Sequence, residues 1–247
     1  MLLARAPWAV TWLGWLSAAC AASSGPATSV VPRLQLRPAG LADLDTVVYR
    51  RTITRAGQDS SAGTRTVVIR KLSGGTPLLE VEQRFPGGGG EIIDTALAEL
   101  RTLRAIAHRS HQPARTMRFS FSAQDAEGTV GDSTVRQSLG GPIFDSNILD
   151  LVVAALPLQR GFTAELPFFI YERGGRVPMS VKVRERTTLL FPAFGLREAW
   201  VVGVGVPGAP ATVWVDSKTR TVLRVRYDLS ARGIAFTDDR LTSLRPT

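Results

Sequence analysis

The sequence predicts a mainly β fold of the α+β class. The expected form is a single curved antiparallel sheet or half-open barrel of about ten strands, with one apolar helix covering its concave face. Three observations lead there. After residue 40 most segments alternate apolar and polar residues, the period of a half-buried strand. The breaks between early strands are short and glycine-containing, as at Gly57–Gly63 and Gly74-Gly75. They leave no room for the crossovers of a dozen or so residues that parallel neighbours need. One stretch, about 145–156, carries the helical period instead. Asp145 is placed as N-cap, and Phe144 before it can staple onto Leu149. Ile148, Leu149, Val152, Val153 and Leu156 form a broad apolar stripe, which Pro157 and Gly161 close. Asp150 is the one charge within it, so the helix should be covered on most sides, as a plug.

Taken in order, Val47, Tyr49, Arg51 and Ile53 alternate with Val48, Arg50, Thr52 and Thr54 in a first strand. Thr64–Lys71 and Leu78–Phe85 follow as an antiparallel meander. Gly87–Gly90 reads as a flexible hairpin tip or mobile lid edge, since no Gly-Lys-Ser/Thr follows to make a phosphate cradle. A strand resumes at Glu91–Thr95. From Ala96 to His108 the spacing of Leu97, Leu100, Leu103 and Ala107 suits a short helix with Arg101 and Arg104 outside. His108 and His111 fall in a polar segment, HRSHQP, and read as surface histidines; two imidazoles without a third or fourth ligand make no metal site.

Met117, Phe119 and Phe121 mark an amphipathic strand, Asp125–Gly128 a turn and Thr129–Leu139 the return. After the helix, Phe162–Arg173 and Arg176–Leu190 form a hairpin about Gly174-Gly175. Arg197–Val206 contains Gly203 and Gly205, where a bulge or sharp curvature is expected. Ala211–Asp216 and Arg220–Leu229 make a hairpin about Ser217-Lys218-Thr219, with Leu223, Val225 and Tyr227 on one face and Arg224 and Arg226 on the other. Gly233–Phe236 suggests a last edge strand.

The N-terminus has a different character. Residues 1–22 have the build of an export signal: Arg5, an apolar run from Trp8 to Leu16, then small residues. Leu16-Ser17-Ala18-Ala19-Cys20 resembles a bacterial lipobox, which makes Cys20 the candidate lipidation site; cleavage near Ala21 or Ala22 with simple secretion is the alternative. The apolar run is short for a spanning helix. Residues 23–42, rich in Ser, Pro, Ala and Gly, read as a flexible tether, residues 43–238 as one domain and 239–247 as a tail. As the chain's single cysteine, Cys20 rules out an intrachain disulfide. Net charge is +9, almost all of it from arginine, since Lys71, Lys182 and Lys218 are the only lysines. The arginines are spread singly along strands, the pattern of a solvated sheet face and not of a nucleic-acid patch. An anionic membrane surface or envelope polyanion is the milder electrostatic partner.

The terminal hairpin TVWVDSKTRTVLRVRYDLS resembles exported bacterial proteins of the lipoprotein-carrier (LolA/LolB-like) superfamily, as does the layout of helix, long hairpin and Ala199-Trp200-Val201-Val202. The similarity spans about residues 43–238 and is greatest to the uncharacterised branch. It implies a half-open barrel whose concave face can hold acyl chains, without catalysis.

No G-x-S-x-G elbow, H-E-x-x-H, Walker or dinucleotide motif occurs, and Asp238-Asp239 and Asp125/Glu127 fall where solvated turn or tail carboxylates are expected. No catalytic residue, metal ligand or cofactor is assigned. An enzyme would need carboxylates distant in sequence to meet in a cavity. The leading expectation is a lipid-anchored protein on the periplasmic side of the bacterial envelope, at the outer membrane, binding a lipid or other amphipathic ligand. Leu149, Val152, Val153, Leu156, Trp200, Trp214 and Tyr227 are its candidate cavity lining, with plain hydrophobic core as the other role those residue types fill. The alternative is an interaction module with a packed core whose arginine face docks a polyanion or an envelope protein.

Overall fold

The structure is a computed structural model describing residues 36–37, 44–87, 89–171, 174–230 and 234–246. Cys20, the export signal and nearly all of the tether lie outside the described residues. Of the tether, Leu36 packs against the core and the Arg37 N–H donates to Ala155 O at 2.7 Å, so the chain is already docked there.

Fifteen strands make one sheet, in the order β8-β7-β6-β5-β4-β3-β2-β1-β15-β14-β13-β12-β11-β10-β9. β1 (Leu44–Arg55), β2 (Gln58–Leu72), β3 (Leu78–Gly87), β4 (Gly90–Glu99), β5 (Ala105–Gln112), β6 (Arg115–Phe121), β7 (Asp125–Val130) and β8 (Ser133–Ser138) form one antiparallel meander. β10 (Thr163–Ile170), β11 (Gly175–Phe191), β12 (Gly195–Gly205), β13 (Ala211–Asp216), β14 (Val222–Asp228) and β15 (Phe236–Pro246) form a second. The meanders join where β15 pairs with β1, and β9 (Phe144–Asp145) adds a short parallel edge to β10. The sheet is therefore mixed, though almost wholly antiparallel, and its strands outnumber the ten or so expected.

The sheet curls until its two flanks meet. Phe119 on β6 lies 5.2 Å from Phe169 and 5.4 Å from Tyr171, ring centre to ring centre, and the Ala105 N–H donates to Ile143 O at 3.0 Å. Inside the curl sits α1 (Leu149–Ala155), preceded by a 3-10 turn over Ser146–Ile148. Every residue of α1 is buried, as expected of a plug. Asp145 caps the 3-10 turn instead of the α-helix, accepting the Asn147 N–H at 2.8 Å. The principal core gathers Val47, Ile69, Leu79, Val81, Val202, Val213, Val215 and Val225 against this helix.

Four segments depart from the sequence reading. Residues 58–63 open β2 where a turn was expected, and residues 125–128 lie in β7, the turn falling at Gly131-Asp132 before β8. Ala96–His108 is the end of β4, a turn and the start of β5, and not a helix. The buried positions there are small (Ala96, Ala98, Ala105), so the strand alternation is faint and the leucine spacing mimics a helical stripe. Residues 239–246 are no tail: β15 is an interior strand beside β1, the central one, and not an edge. Its apolar content is low because Asp238 and Asp239, buried at 4% and 1% exposure, are neutralised by arginines across the strands instead of being solvated. The hairpins at Gly87–Gly90, Gly174-Gly175 and residues 217–219 form as read.

Candidate functional site

At one mouth of the curl, beside the 3-10 turn, β1, β2, β3, β14 and β15 leave a cleft of about 320 Å3. Its walls mix Phe85, Tyr227 and Leu229 with Arg51, Arg65, Gln83, Asn147, Thr237 and Asp239. Strand alternation sets this up: Arg51, Arg65 and Asp239 stand at positions whose side chains point to the interior.

Arg65 is the floor. It is 4% exposed, and its Nη2 donates to Asp150 Oδ2 on α1 at 2.7 Å while Nε donates to Gln83 Oε1 at 3.0 Å. Its guanidinium also lies 5.2 Å from the Tyr49 ring. Nη1 is buried without a hydrogen-bond partner; the nearest carboxylate oxygen, Asp239 Oδ2, is 3.6 Å away, within ion-pair but beyond hydrogen-bond range. Arg51 holds Asp239 in a two-pronged pair at 2.7 and 2.8 Å and stacks 4.6 Å over Phe85. Gln83 Nε2 donates to Asn147 O, tying β3 to the turn before α1.

This network moves the ionisations of its members. Burial, reinforced by Asp150, pushes the Tyr49 phenol above its usual value. Burial likewise pushes Tyr227 up to about 12. For Arg65, burial alone favours losing the proton, but Asp150 and Asp239 outweigh it and hold the guanidinium above its ordinary range. The Arg65 guanidinium therefore keeps its proton near neutrality, and the ion pairs set each of the two arginines against a carboxylate.

A second buried polar group adjoins. His108 Nδ1 lies 3.1 Å from Asp145 Oδ2, to which the Tyr171 hydroxyl donates at 2.8 Å, and the two rings stack 4.0 Å apart. Asn147, on the cleft wall, brings Nδ2 within 3.2 Å of His108 Nδ1. His108 is 1% exposed and lies inside β5, correcting its reading as a surface histidine in a loop; His111, three residues on, is exposed. Ser146, between Asp145 and Asn147 in the chain, also lies on the cleft wall. What the cleft offers chemically is a buried donor beneath aromatic and aliphatic walls.

Of the residues expected to line a ligand cavity, Tyr227 lines this cleft. Leu149, Val152, Val153 and Leu156 are in the packed core around α1, as is Trp200. Trp214 is half-buried against that core with Arg224 stacked over it at 4.6 Å, and Arg186 covers Trp200 at 4.2 Å. The arginines are thus not all solvated: Arg65, Arg51 and Arg224 are drawn in by Asp150, Asp239 and Asp238. Sequence reasoning missed Arg65 and Asp239 as site residues. The available signal was charge at interior-facing strand positions, together with a lone carboxylate, Asp150, in an otherwise apolar helix.

The family described as "Protein of unknown function (DUF3108)" matches residues 47–237. Comparison with curated proteins gives no match. Among solved structures, a β-barrel-like protein of the domain of unknown function DUF1849 from Brucella abortus aligns with a TM-score of 0.55. It covers 83% of this chain and 99% of its own length at 10% identity, a likeness of fold alone. A DUF1329 family protein from Desulfovibrio piger aligns over 85% of this chain and 88% of its own, at 10% identity and a TM-score of 0.25.

Proposed function

We propose a ligand-binding function for this chain, which belongs to the DUF3108 family: an exported, lipid-anchored module of the bacterial envelope that takes the polar head of an amphipathic ligand into the mouth of its curled sheet. The observation that carries the reading is Arg65 Nη1, a buried cationic donor lacking a hydrogen-bond partner at the base of the cleft. Leaving such a donor unmade costs about 1–3 kcal/mol, more where the group is charged, and a ligand oxygen placed on it recovers that cost. Phe85, Tyr227 and Leu229 supply the apolar wall for the adjoining chain. Barrel mouths with a few convergent polar groups are the usual setting for small-molecule sites, and about 320 Å3 is at the small end of their range. The pairing of Arg51 with Asp239 and of Arg65 with Asp150 leaves the mouth near neutral, which suits a head with an acceptor oxygen over a multiply charged one.

Leu149, Val152, Val153, Leu156 and Trp200 then serve as the packed floor beneath the mouth, while Trp214, paired with Arg224 in the register, stands on the opposite face of the sheet. Lipidation at Cys20 would hold the module on a membrane surface without spanning it. The carrier-like hairpin and the barrel-like fold support a place among envelope binding proteins of the lipoprotein-carrier type.

The test is calorimetric titration of the exported protein with decanoic acid and with decane-1,2-diol, which share a tail and differ in head. One-to-one binding of either, abolished in Leu229→Trp where the indole fills the mouth, is the expected result. No binding of either probe, or binding that Leu229→Trp leaves intact, contradicts the reading.

A further inference from the structure

The opposite face of the sheet, over β11 to β15, carries a second concavity of about 400 Å3, built on a different chemistry. The strand registers set Lys182 on β11 opposite Gly203 on β12, Gly203 opposite Thr212 on β13, and Thr212 opposite Arg226 on β14. A cross-strand row thus runs lysine, glycine, threonine, arginine. On β14 and β15, Arg226, Asp228 and Phe236 line this concavity while Tyr227 and Thr237 line the mouth, as alternation requires.

Gly203 and Gly205 explain why a hollow exists. A Cβ at 203 would stand 2.8 Å from Arg184 Nη2, and one at 205 would stand 2.3 Å from Ser180 Oγ. The two missing side chains let the Arg184 guanidinium and the Ser180 hydroxyl lie over the backbone of β12. The glycines therefore seat side chains from β11, where sequence reading expected a bulge; the register shift falls on β11 instead, between Val183 and Glu185.

Three cations line the hollow, Lys182, Arg184 and Arg226, against one carboxylate, Asp228. Lys182 and Arg184 make no ion pair among the described residues. Arg226 shares Asp238 with Arg224 and Arg240 through Nη2 at 3.2 Å, but its Nε is buried without a hydrogen-bond partner. Asp228 accepts the Ser230 N–H at 3.0 Å, which holds its carboxyl below the usual range and keeps it ionised. The hydroxyls of Ser180 and Thr212 complete a donor-rich wall.

We infer that this hollow binds a tetrahedral oxyanion, a phosphate or sulfate group, whether free or carried on a lipid headgroup. Cationic donors, neutral hydroxyls and a glycine floor that admits close approach are the complement of such a group. This site is independent of the mouth, whose charges cancel.

The test uses the full exported chain with two probes, inorganic phosphate followed by calorimetry, and phosphatidylcholine vesicles with or without phosphatidic acid followed by co-sedimentation. Phosphate should bind saturably and be weakened by added salt. Lys182→Gln/Arg184→Gln should lower its affinity at least about tenfold, the loss of one or two charge-assisted hydrogen bonds. Both side chains are exposed, so the thermal midpoint should not move. Gly203→Ala should weaken binding in the same direction, because the new Cβ displaces the Arg184 guanidinium, while Arg186→Gln should not. Vesicle binding that needs phosphatidic acid and fails in the double variant assigns the group to a lipid; binding of free phosphate alone assigns it to a soluble ligand. Binding of neither probe, or binding unchanged in Lys182→Gln/Arg184→Gln, overturns the inference.

Discussion

Replacing Arg65 with methionine isolates the interaction on which the mouth is built. Asp150 would lose its 2.7 Å ion pair and retain the Leu151 N–H at 3.0 Å, while Gln83 Oε1 would lose its 3.0 Å donor. Arg65 and Asp150 are 4% and 3% exposed, so water cannot substitute for the lost partner without opening the helix–sheet contact. Removing one member of such a pair costs about 3–5 kcal/mol, mostly the desolvation of the orphaned charge. With a urea slope of about 3 kcal/mol/M, reasonable for a domain of this size, the unfolding midpoint should fall by about 1–1.7 M. The double variant Arg65→Met/Asp150→Leu leaves no bare charge, only the Gln83 acceptor and the Leu151 N–H without their side-chain partners, at about 1 kcal/mol each. It should therefore recover at least about 1 kcal/mol of the single variant's loss. Tryptophan fluorescence through a urea titration of both variants and the parent measures the cycle. A single variant that loses less than about 1 kcal/mol, or a double variant no better than the single, would refute the claim that these charges are buried and coupled.

Three other outcomes follow from the same structure. Asp238 is held below the usual carboxylate range by Arg224 and Arg226 against the opposing effect of burial, so its contribution to stability is present above about pH 4 and is lost as pH falls through the depressed folded value. The stability gap between parent and Asp238→Asn, measured by denaturant titration, should accordingly be largest near neutrality and narrow as pH falls through the depressed folded value. Tyr49 and Tyr227 resist ionisation through burial, so folding should keep their phenolate absorbance from appearing near pH 10–11, and denaturant should release it at once. Stability should fall as pH rises through that interval, because the unfolded phenols lose protons that the folded ones keep. Gly128→Ala should cost about 1–3 kcal/mol in thermal or urea unfolding, since its Cβ would meet the Arg118 carbonyl at 2.0 Å, a backbone atom that cannot swing aside.

How much of this was legible follows from what each residue must satisfy. Alternation at Met117, Phe119 and Phe121 or Val181 and Val183 marks strands because one sheet face is apolar. The helix at 149–155 is legible because its stripe has no strand reading. Where the interior is polar, the pattern fails. Asp238 and Asp239 read as solvent-facing until their partners Arg224 and Arg51, 14 and 188 residues away in sequence, are seen across the strands. The same holds for Arg65 with Asp150, 85 residues apart, and His108 with Asp145, 37 apart. These pairings depend on which strands become neighbours, in particular β1 with β15, which no local period encodes. The candidate cavity residues were chosen for hydrophobicity, which selects the floor of the curl; the mouth is identified by an orphaned donor, visible only in three dimensions.

Native mass spectrometry of the purified full chain, followed by solvent extraction and lipid analysis of the same sample, tests the central claim most directly. The account predicts a single amphipathic molecule bound at near-unit stoichiometry, present on the parent protein and absent from Leu229→Trp. A bare mass for the parent that persists after incubation with an envelope lipid extract would contradict it.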